Sequence, residues 1–123
     1  MEAKGRGSAV VALVVVLMVV QCEMSVAAIY TVGGAAGWTF NMVGWPRGKR
    51  FRAGDILVFN YNRAAHNVVA VNKAAYDSCK APRGAGQYQT GRDRIKLAKG
   101  PNYFVCTFPG HCEAGMKIAV TAA

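Results

Sequence analysis

Two short segments of the chain alternate regularly between apolar and polar positions. In residues 94–98 (RIKLA), Ile95 and Leu97 point one way and Lys96 points the other. Residues 116–120 (MKIAV) repeat the pattern, with a large apolar side chain at every second position. Because successive side chains of a β-strand face opposite sides of a sheet, a period of about two predicts strands with one buried face.

Other apolar segments are rich in β-branched and aromatic residues, which is typical of strands. These predicted strands span residues 29–32, 55–61, 67–72 and 102–107. Many short strands separated by Gly, Pro and Asn predict an all-β fold, a Greek-key β-sandwich or open barrel.

The segments between the predicted strands are mostly loops. The GGAAG sequence after the first strand indicates a turn, and residues 73–79 (KAAYDSC) are the one plausible short helix. Residues 40–47 and 81–90 show no strand pattern and are predicted to be loops or irregular edges. We find no internal repeat, and the remaining chain is short enough to form a single domain.

The N-terminus resembles a targeting segment rather than part of the fold. Lys4 and Arg6 precede an apolar run at residues 9–20, and small residues follow at 25–28. This run is shorter than the roughly 18 residues that a membrane-spanning helix needs. We therefore predict a secretory signal peptide, residues 1–28, cleaved after residue 27 or 28. An uncleaved anchor or a buried core helix is the alternative.

The predicted mature domain, residues 29–123, is strongly basic. The formal net charge of the whole chain is +9, and removal of the signal leaves it unchanged. Such a charge favours an acidic partner or a polyanionic matrix, although a solvated basic surface also serves solubility alone. Nucleic acid is not expected, because a secreted chain without a basic helix or a nucleic-acid-binding module does not fit that class. The C-terminal IAVTAA is not a lipid-anchor signal, so we expect no stable membrane anchor.

The cysteine count leaves one thiol unexplained. The chain has four cysteines, and Cys22 would leave with the signal peptide. Three cysteines remain, and pairing in an oxidising compartment leaves one over. Cys106 and Cys112 are close enough in sequence to form a disulfide with each other, or one of them could bind a metal.

The strongest chemical signal is the spacing Cys-x4-His-x4-Met. It places Cys106, His111 and Met116 around one loop between two predicted strands, and His66 is the only other histidine. Two imidazoles, a thiolate and a weak axial thioether are the ligand set of a blue copper electron-transfer centre. Zinc is the main rival, but structural zinc sites use Cys and His without Met. Asn67 follows His66 and is a candidate to restrain it, unless it is simply a polar strand-edge residue.

Several segments together resemble the phytocyanins, the plant family of small blue copper proteins, and most of all their plantacyanin (basic blue protein) branch. They are YTVGGAAGWTF, RFRAGDILVFNY, AAHNVVAVN, YDSC and CTFPGHCEAGMKIAV, and the similarity spans residues 29–123. The resemblance implies a cupredoxin-like Greek-key β-sandwich with one or two short helical segments.

The resemblance also implies the site. It assigns one type 1 copper to His66, Cys106, His111 and Met116, and a disulfide to Cys79 and Cys112. Stellacyanin-like relatives have Gln at the axial position where this chain has Met116. Many relatives add a Pro-rich tail and a lipid-anchor signal, and neither follows here.

The expected function is one-electron transfer by a monomer secreted to the extracellular space or cell wall. An enzyme is not expected, because multicopper catalysts need further copper sites and this chain has two histidines. The redox partner is unidentified and expected to be acidic. The alternative is a matrix-binding or signalling protein that adheres to acidic cell-wall polymers, with the copper incidental.

Overall fold

The computed structural model of the protein describes residues 26–123. It contains seven strands, β1 (Ile29–Thr31), β2 (Ile56–Asn60), β3 (Val68–Val71), β4 (Gly86–Tyr88), β5 (Arg92–Lys96), β6 (Gly100–Val105) and β7 (Lys117–Ala122). One short helix, α1 (Lys73–Ser78), and a 3-10 turn, Gly34–Ala36, complete the described elements. Residues 1–25 of the predicted signal peptide lie outside the described residues, so that prediction stays open.

The strands form two sheets. The first has the order β1-β2-β5, with β1 parallel to β2 and β5 antiparallel to it. The second has the order β4-β3-β6-β7 and is antiparallel throughout. The expected all-β sandwich with short helical segments is therefore confirmed.

Apolar side chains from both sheets meet in one core. Leu57 and Phe59 of β2 pack in the same cluster as Phe104 of β6 and Ile118 and Val120 of β7. All five are buried, because the alternating pattern sends them to the inner faces of their sheets. The burial predicted from the alternation in residues 94–98 and 116–120 is confirmed.

The predicted helix and the predicted turn are also confirmed. The Asn72 side chain caps α1 by accepting a hydrogen bond from the Ala75 N–H at 2.9 Å, which satisfies a free donor of the first turn. The GGAAG sequence forms the 3-10 turn. Gly33 has φ 76°, and a Cβ atom there would lie 2.0 Å from the Gly37 carbonyl oxygen, so the turn requires glycine.

One of the two segments predicted to be loops or irregular edges contains a short strand at a sheet edge. Residues 81–90 contain β4, which pairs with β3 at the edge of the second sheet. All three residues of β4 are exposed, so no alternation between buried and polar positions marks it in the sequence. Residues 40–47 form no strand, as expected. Strands β5 and β6 begin two residues earlier than predicted.

The second sheet brings distant parts of the chain together at one end of the sandwich. Val69 at the start of β3 pairs with Val105 at the end of β6, and Val105 pairs with Lys117 at the start of β7. The residues that flank these three strand ends are therefore neighbours in space. Among residues 26–123, no helix is both long and apolar enough to cross a membrane.

Candidate metal centre

Three predicted ligands meet at this end of the sandwich. The ligand atoms of His66, Cys106 and His111 all lie within 4.8 Å of one another. The two imidazoles face each other through their Nδ1 atoms, 3.1 Å apart, and the Cys106 Sγ lies 3.5 Å from the His111 Nδ1. The structure thus brings together residues up to 45 positions apart in the chain.

The loop that carries His111 is held by its own backbone. The Cys106 N–H donates to the Met116 carbonyl at 3.0 Å, which closes the loop where β6 and β7 meet it. The Met116 N–H donates to the His111 carbonyl, also at 3.0 Å. Gly110 has φ 80°, a left-handed conformation that glycine adopts without strain, and it turns the chain just before His111. The sequence between the strands therefore folds into a compact, internally bonded turn.

Met116 lies at the C-terminal end of the same loop, just before β7. Its side chain and that of Cys106 are fully buried, and both belong to the main core cluster. Because its backbone bonds to both His111 and Cys106, Met116 is fixed relative to the two other ligand candidates on the loop. That Met116 is the axial ligand stays a prediction.

His66 comes from a separate turn at the start of β3. The backbone N–H groups of Ala65 and His66 both donate to the Asn62 carbonyl at 3.0 Å. The Asn62 side chain in turn accepts from the Ala64 N–H at 3.0 Å, a local bond that favours turns. This turn positions the His66 ring against the ring of His111, with centroids 4.9 Å apart.

Asn67 joins the two halves of the site. It is 3% exposed, and its side chain donates to the Thr107 Oγ1 at 2.7 Å and accepts from the Thr107 N–H at 2.8 Å. Its carbonyl also accepts from the Trp38 Nε1 at 2.9 Å. Asn67 follows His66, and Thr107 follows Cys106. These hydrogen bonds therefore connect the segment that carries His66 to the segment that carries Cys106.

Aromatic rings surround the two histidines. Phe40 packs edge-to-face on both, with centroids 5.7 Å from His66 and 5.0 Å from His111. Phe108 stacks on His111 at 5.7 Å. Sequence reasoning missed Phe40, Thr107 and Phe108 as site residues. Phe40 lies in a segment for which no strand was predicted. The only sign of a role in the local sequence was that this aromatic residue had no predicted strand that would bury it.

The cysteines divide into a bridge and a free thiol. Cys79 and Cys112 form a disulfide, and among the described residues the free cysteine is Cys106. The bridge links the C-terminal end of α1 to the residue after His111. This confirms the disulfide that the family resemblance implied and excludes a Cys106–Cys112 pair.

The donor set fits a soft or borderline metal ion. Burial, followed by the nearby His111, lowers the pKa of His66, which favours the neutral imidazole that can offer a lone pair to a metal. Two imidazole nitrogens and one sulfur on converging side chains suit copper by ligand type, whereas magnesium or calcium would require oxygen donors. Cys106 and Met116 are both fully buried on the core side of the loop.

Comparisons with known proteins agree with this geometry. Residues 38–116 match the family described as the plastocyanin-like domain. The chain is 56% identical to a basic blue protein of Arabidopsis thaliana, and the alignment covers 98% of each chain. It is 54% identical to chemocyanin of Lilium longiflorum, over 98% of this chain and 99% of the relative.

A solved structure shares both fold and sequence. The cucumber basic protein, a blue copper protein, superimposes with a TM-score of 0.77 at 62% identity, covering 78% of this chain and all of the relative. The sandwich and its converging His, Cys and His side chains are those of a blue copper protein. The chain belongs to the phytocyanin family.

Proposed function

We propose that this protein is a secreted electron carrier with a single type 1 copper, held by His66, Cys106, His111 and Met116. The observation that carries the proposal is the convergence of two imidazole nitrogens and one free thiol within 4.8 Å. Relatives that are named as blue copper proteins support copper as the metal. Proteins of this family are electron carriers rather than enzymes.

A bound copper ion supplies a one-electron Cu(II)/Cu(I) couple. The residues of this chain suit both oxidation states, because thiolate and imidazole bind either one and a thioether is a weak ligand that favours Cu(I). The two histidines of the chain are both at this site, which leaves none for the further copper sites of a multicopper enzyme. The donor set therefore supports electron carriage rather than catalysis.

The surroundings of the site favour transfer with little rearrangement. The disulfide beside His111, the Asn67–Thr107 pair and the backbone bonds of Met116 hold the ligand-bearing segments in place. A fixed ligand geometry lowers the reorganisation that accompanies a change of oxidation state.

An accessible route to the site passes through His111. This residue is only partly buried, and Pro109 and Gly110 beside it are exposed and have little bulk. Phe40 and Phe108 flank the ring and are themselves partly accessible, so they form an apolar rim around it. We assign electron entry and exit to this edge, where a partner can approach the imidazole without displacing a large side chain.

A visible spectrum of the copper-loaded protein tests the proposal. We expect an intense band near ~600 nm from charge transfer between the Cys106 thiolate and copper. The variant Cys106→Ser should lose this band and keep its fold, since the serine occupies nearly the same volume and the disulfide is untouched. Stoichiometric copper without the band in the unaltered protein would refute the assignment.

Secretion has its own test. Expression of the full chain in a eukaryotic secretory system should release a product whose N-terminus is Ala28 or Ile29. A protein that stays in the cell with its N-terminus intact would contradict the proposed secretion. The support is the basic start, the short apolar run and the small residues at 25–28.

A further inference from the structure

A cluster of cations lies at the end of the sandwich opposite the metal centre. We call this cluster the basic pole, and it consists of Lys49, Arg50, Arg52, Lys96 and Lys99. All five side chains are exposed. Phe51 forms a β-bridge with Ala122 at the end of β7, and Ala122 pairs with Gly100 next to Lys99. A Cβ atom on Gly54 would lie 3.8 Å from the Lys96 Cε, which places that lysine beside the same loop.

The pole and the metal centre are well separated. Strand β7 runs from Lys117, next to Met116, to Ala122, next to Phe51. At roughly 3.3 Å per residue, about 20 Å of extended chain separates Met116 from Ala122. A molecule bound at the basic pole would therefore leave His111 and its apolar rim exposed.

One acidic side chain, Asp55, lies beside the five cations of the pole. The described residues contain four acidic side chains, of which Asp55 and Asp93 are buried. Asp55 accepts hydrogen bonds from the backbone N–H groups of Ala28 and Arg52, so its buried carboxylate offsets part of the positive charge of the pole. Asp77 pairs with Lys73, and Glu113 follows Cys112 near the metal centre. The five exposed cations of the pole therefore outnumber the single carboxylate side chain beside them.

Two adjoining grooves run along the pole. One of about 470 Å³ is lined by Lys49, Arg50, Phe51, Arg52, Thr121 and Ala123. The second groove, of about 300 Å³, shares Lys49, Phe51 and Thr121 with the first groove and extends toward Arg47. The grooves form one furrow between the loop at residues 43–52 and strand β7, with cations along its length.

From this arrangement we infer that the basic pole is a docking surface for a linear carboxylated polysaccharide. Arg side chains match the planar, two-oxygen shape of carboxylates, and a chain with one carboxylate per sugar meets several cations in succession. A furrow admits a single extended chain, whereas a flat bilayer surface cannot enter it. Binding there would hold the protein in a polyanionic matrix with its redox edge free. The inference rests on the secretion proposed above and is independent of copper.

The test measures binding of a de-esterified oligogalacturonate to the protein by calorimetry at low salt. The variant Arg50→Gln/Arg52→Gln should bind about tenfold more weakly, since it removes two charge-assisted contacts. The backbone groups of both residues keep their hydrogen bonds to Tyr30 and Asp55 in this variant, so the fold is retained. Binding should also weaken as salt is raised, because screening acts on exposed charges.

Arg63→Gln/Arg92→Gln is the matched control. It removes the same charge from exposed residues near Tyr61 and Gly91, away from the pole, and should change affinity less than about twofold if the site is local rather than diffuse. The fully methyl-esterified oligomer, which lacks the charge, should not bind. Equal losses in the two double variants would overturn the inference, as would full binding by Arg50→Gln/Arg52→Gln or preferential binding to phosphatidylserine vesicles.

Cys106→Ser separates this inference from the proposed copper function. The variant should lose the visible band and bind the oligomer as the unaltered protein does, because Cys106 lies at the opposite end of the sandwich. If the band is absent from the unaltered protein but the oligomer binds at the pole, the copper proposal fails and the docking surface stands. Loss of binding in Cys106→Ser with its fold intact would contradict the docking surface.

Discussion

Asn67 and Thr107 hold each other through two hydrogen bonds, of 2.7 and 2.8 Å, although they are 40 positions apart in the chain. Each is the residue that follows a proposed copper ligand. The pair therefore fixes the distance between the chain segments that carry His66 and Cys106, and it does so with side-chain and backbone groups that are not ligands themselves.

Asn67→Ala should destabilise the metal-free protein by about 1–3 kcal/mol, since it removes both bonds and leaves the Thr107 N–H without its partner. Urea unfolding of the metal-free protein measures the loss. Thr107→Ser keeps the hydroxyl and the backbone bond, so it should stay within about 0.5 kcal/mol of the unaltered protein. Equal stability of Asn67→Ala and the unaltered protein would show that the pair has no restraining role.

Loss of the disulfide should destabilise the fold and weaken metal binding together. Cys79 and Cys112 are separated by 33 positions, and a loop of this length corresponds to about 3–4 kcal/mol in the loop-entropy treatment. Cys79→Ser/Cys112→Ser should show this loss in urea unfolding. It should also bind copper less tightly in a chelator competition, because His111 is adjacent to the bridge. Unchanged copper affinity would mean that the loop's own backbone bonds suffice to hold His111.

The thiol count checks the cysteine assignment independently. In the secreted form, denatured and free of metal, we expect one thiol that reacts with a thiol reagent, and peptide mapping should locate it at Cys106. Cys106→Ser should show none. A reactive thiol at Cys79 or Cys112 instead would contradict the observed pairing.

Met116→Gln should lower the reduction potential of the copper protein. An amide oxygen binds Cu(II) better than a thioether does, and a tenfold change in relative affinity corresponds to about 59 mV for one electron. We expect a decrease of at least this size in a potentiometric titration. Met42→Gln is the control, because Met42 is a partly buried methionine that packs against the core and is not a proposed ligand. A potential that stays constant or rises in Met116→Gln would exclude Met116 as the axial ligand.

Tyr61 should make stability depend on pH in the alkaline range. Burial, followed by the hydrogen bond from its hydroxyl to Asp93, raises the pKa of Tyr61 well above its ordinary value of 10.0. The folded state therefore holds this proton more tightly than the unfolded state. Its stabilising contribution is complete below pH 10 and is lost as the pH rises toward the folded-state pKa.

Urea unfolding at pH 9 to about 11 measures this effect. The free energy of unfolding should fall more steeply with pH in the unaltered protein than in Tyr61→Phe. Tyr30→Phe is the control, since the Tyr30 hydroxyl donates to a backbone carbonyl and not to a carboxylate. Parallel curves for the unaltered protein and Tyr61→Phe would contradict the prediction.

The sequence by itself determined the fold class and the identity of the proposed ligands. Alternation in residues 94–98 and 116–120 is a short-range property, so it predicted buried faces before any partner strand was known. His66, Cys106, His111 and Met116 were identifiable because a blue copper site needs rare residue types at a characteristic spacing. The family resemblance implied the Cys79–Cys112 pair.

Tertiary structure decided the features that depend on contacts between distant segments. Strand β4 has no buried face, so its sequence shows no alternation of apolar and polar residues. It is identified only by its pairing with β3 in the structure. Asn67 contacts Thr107 because antiparallel pairing of β3 with β6 brings their ends together. Phe40 reaches the two histidines because the backbone that follows it bonds to Ala114 and Gly115 of the His111 loop. The net charge was evident in the composition, but the basic pole was not, since the segments that carry Arg50 and Lys99 meet at the end of β7 only when the chain is folded. The local sequence pattern predicts the secondary structure and the buried face of each segment. The positions of the segments relative to one another depend on how these buried faces pack.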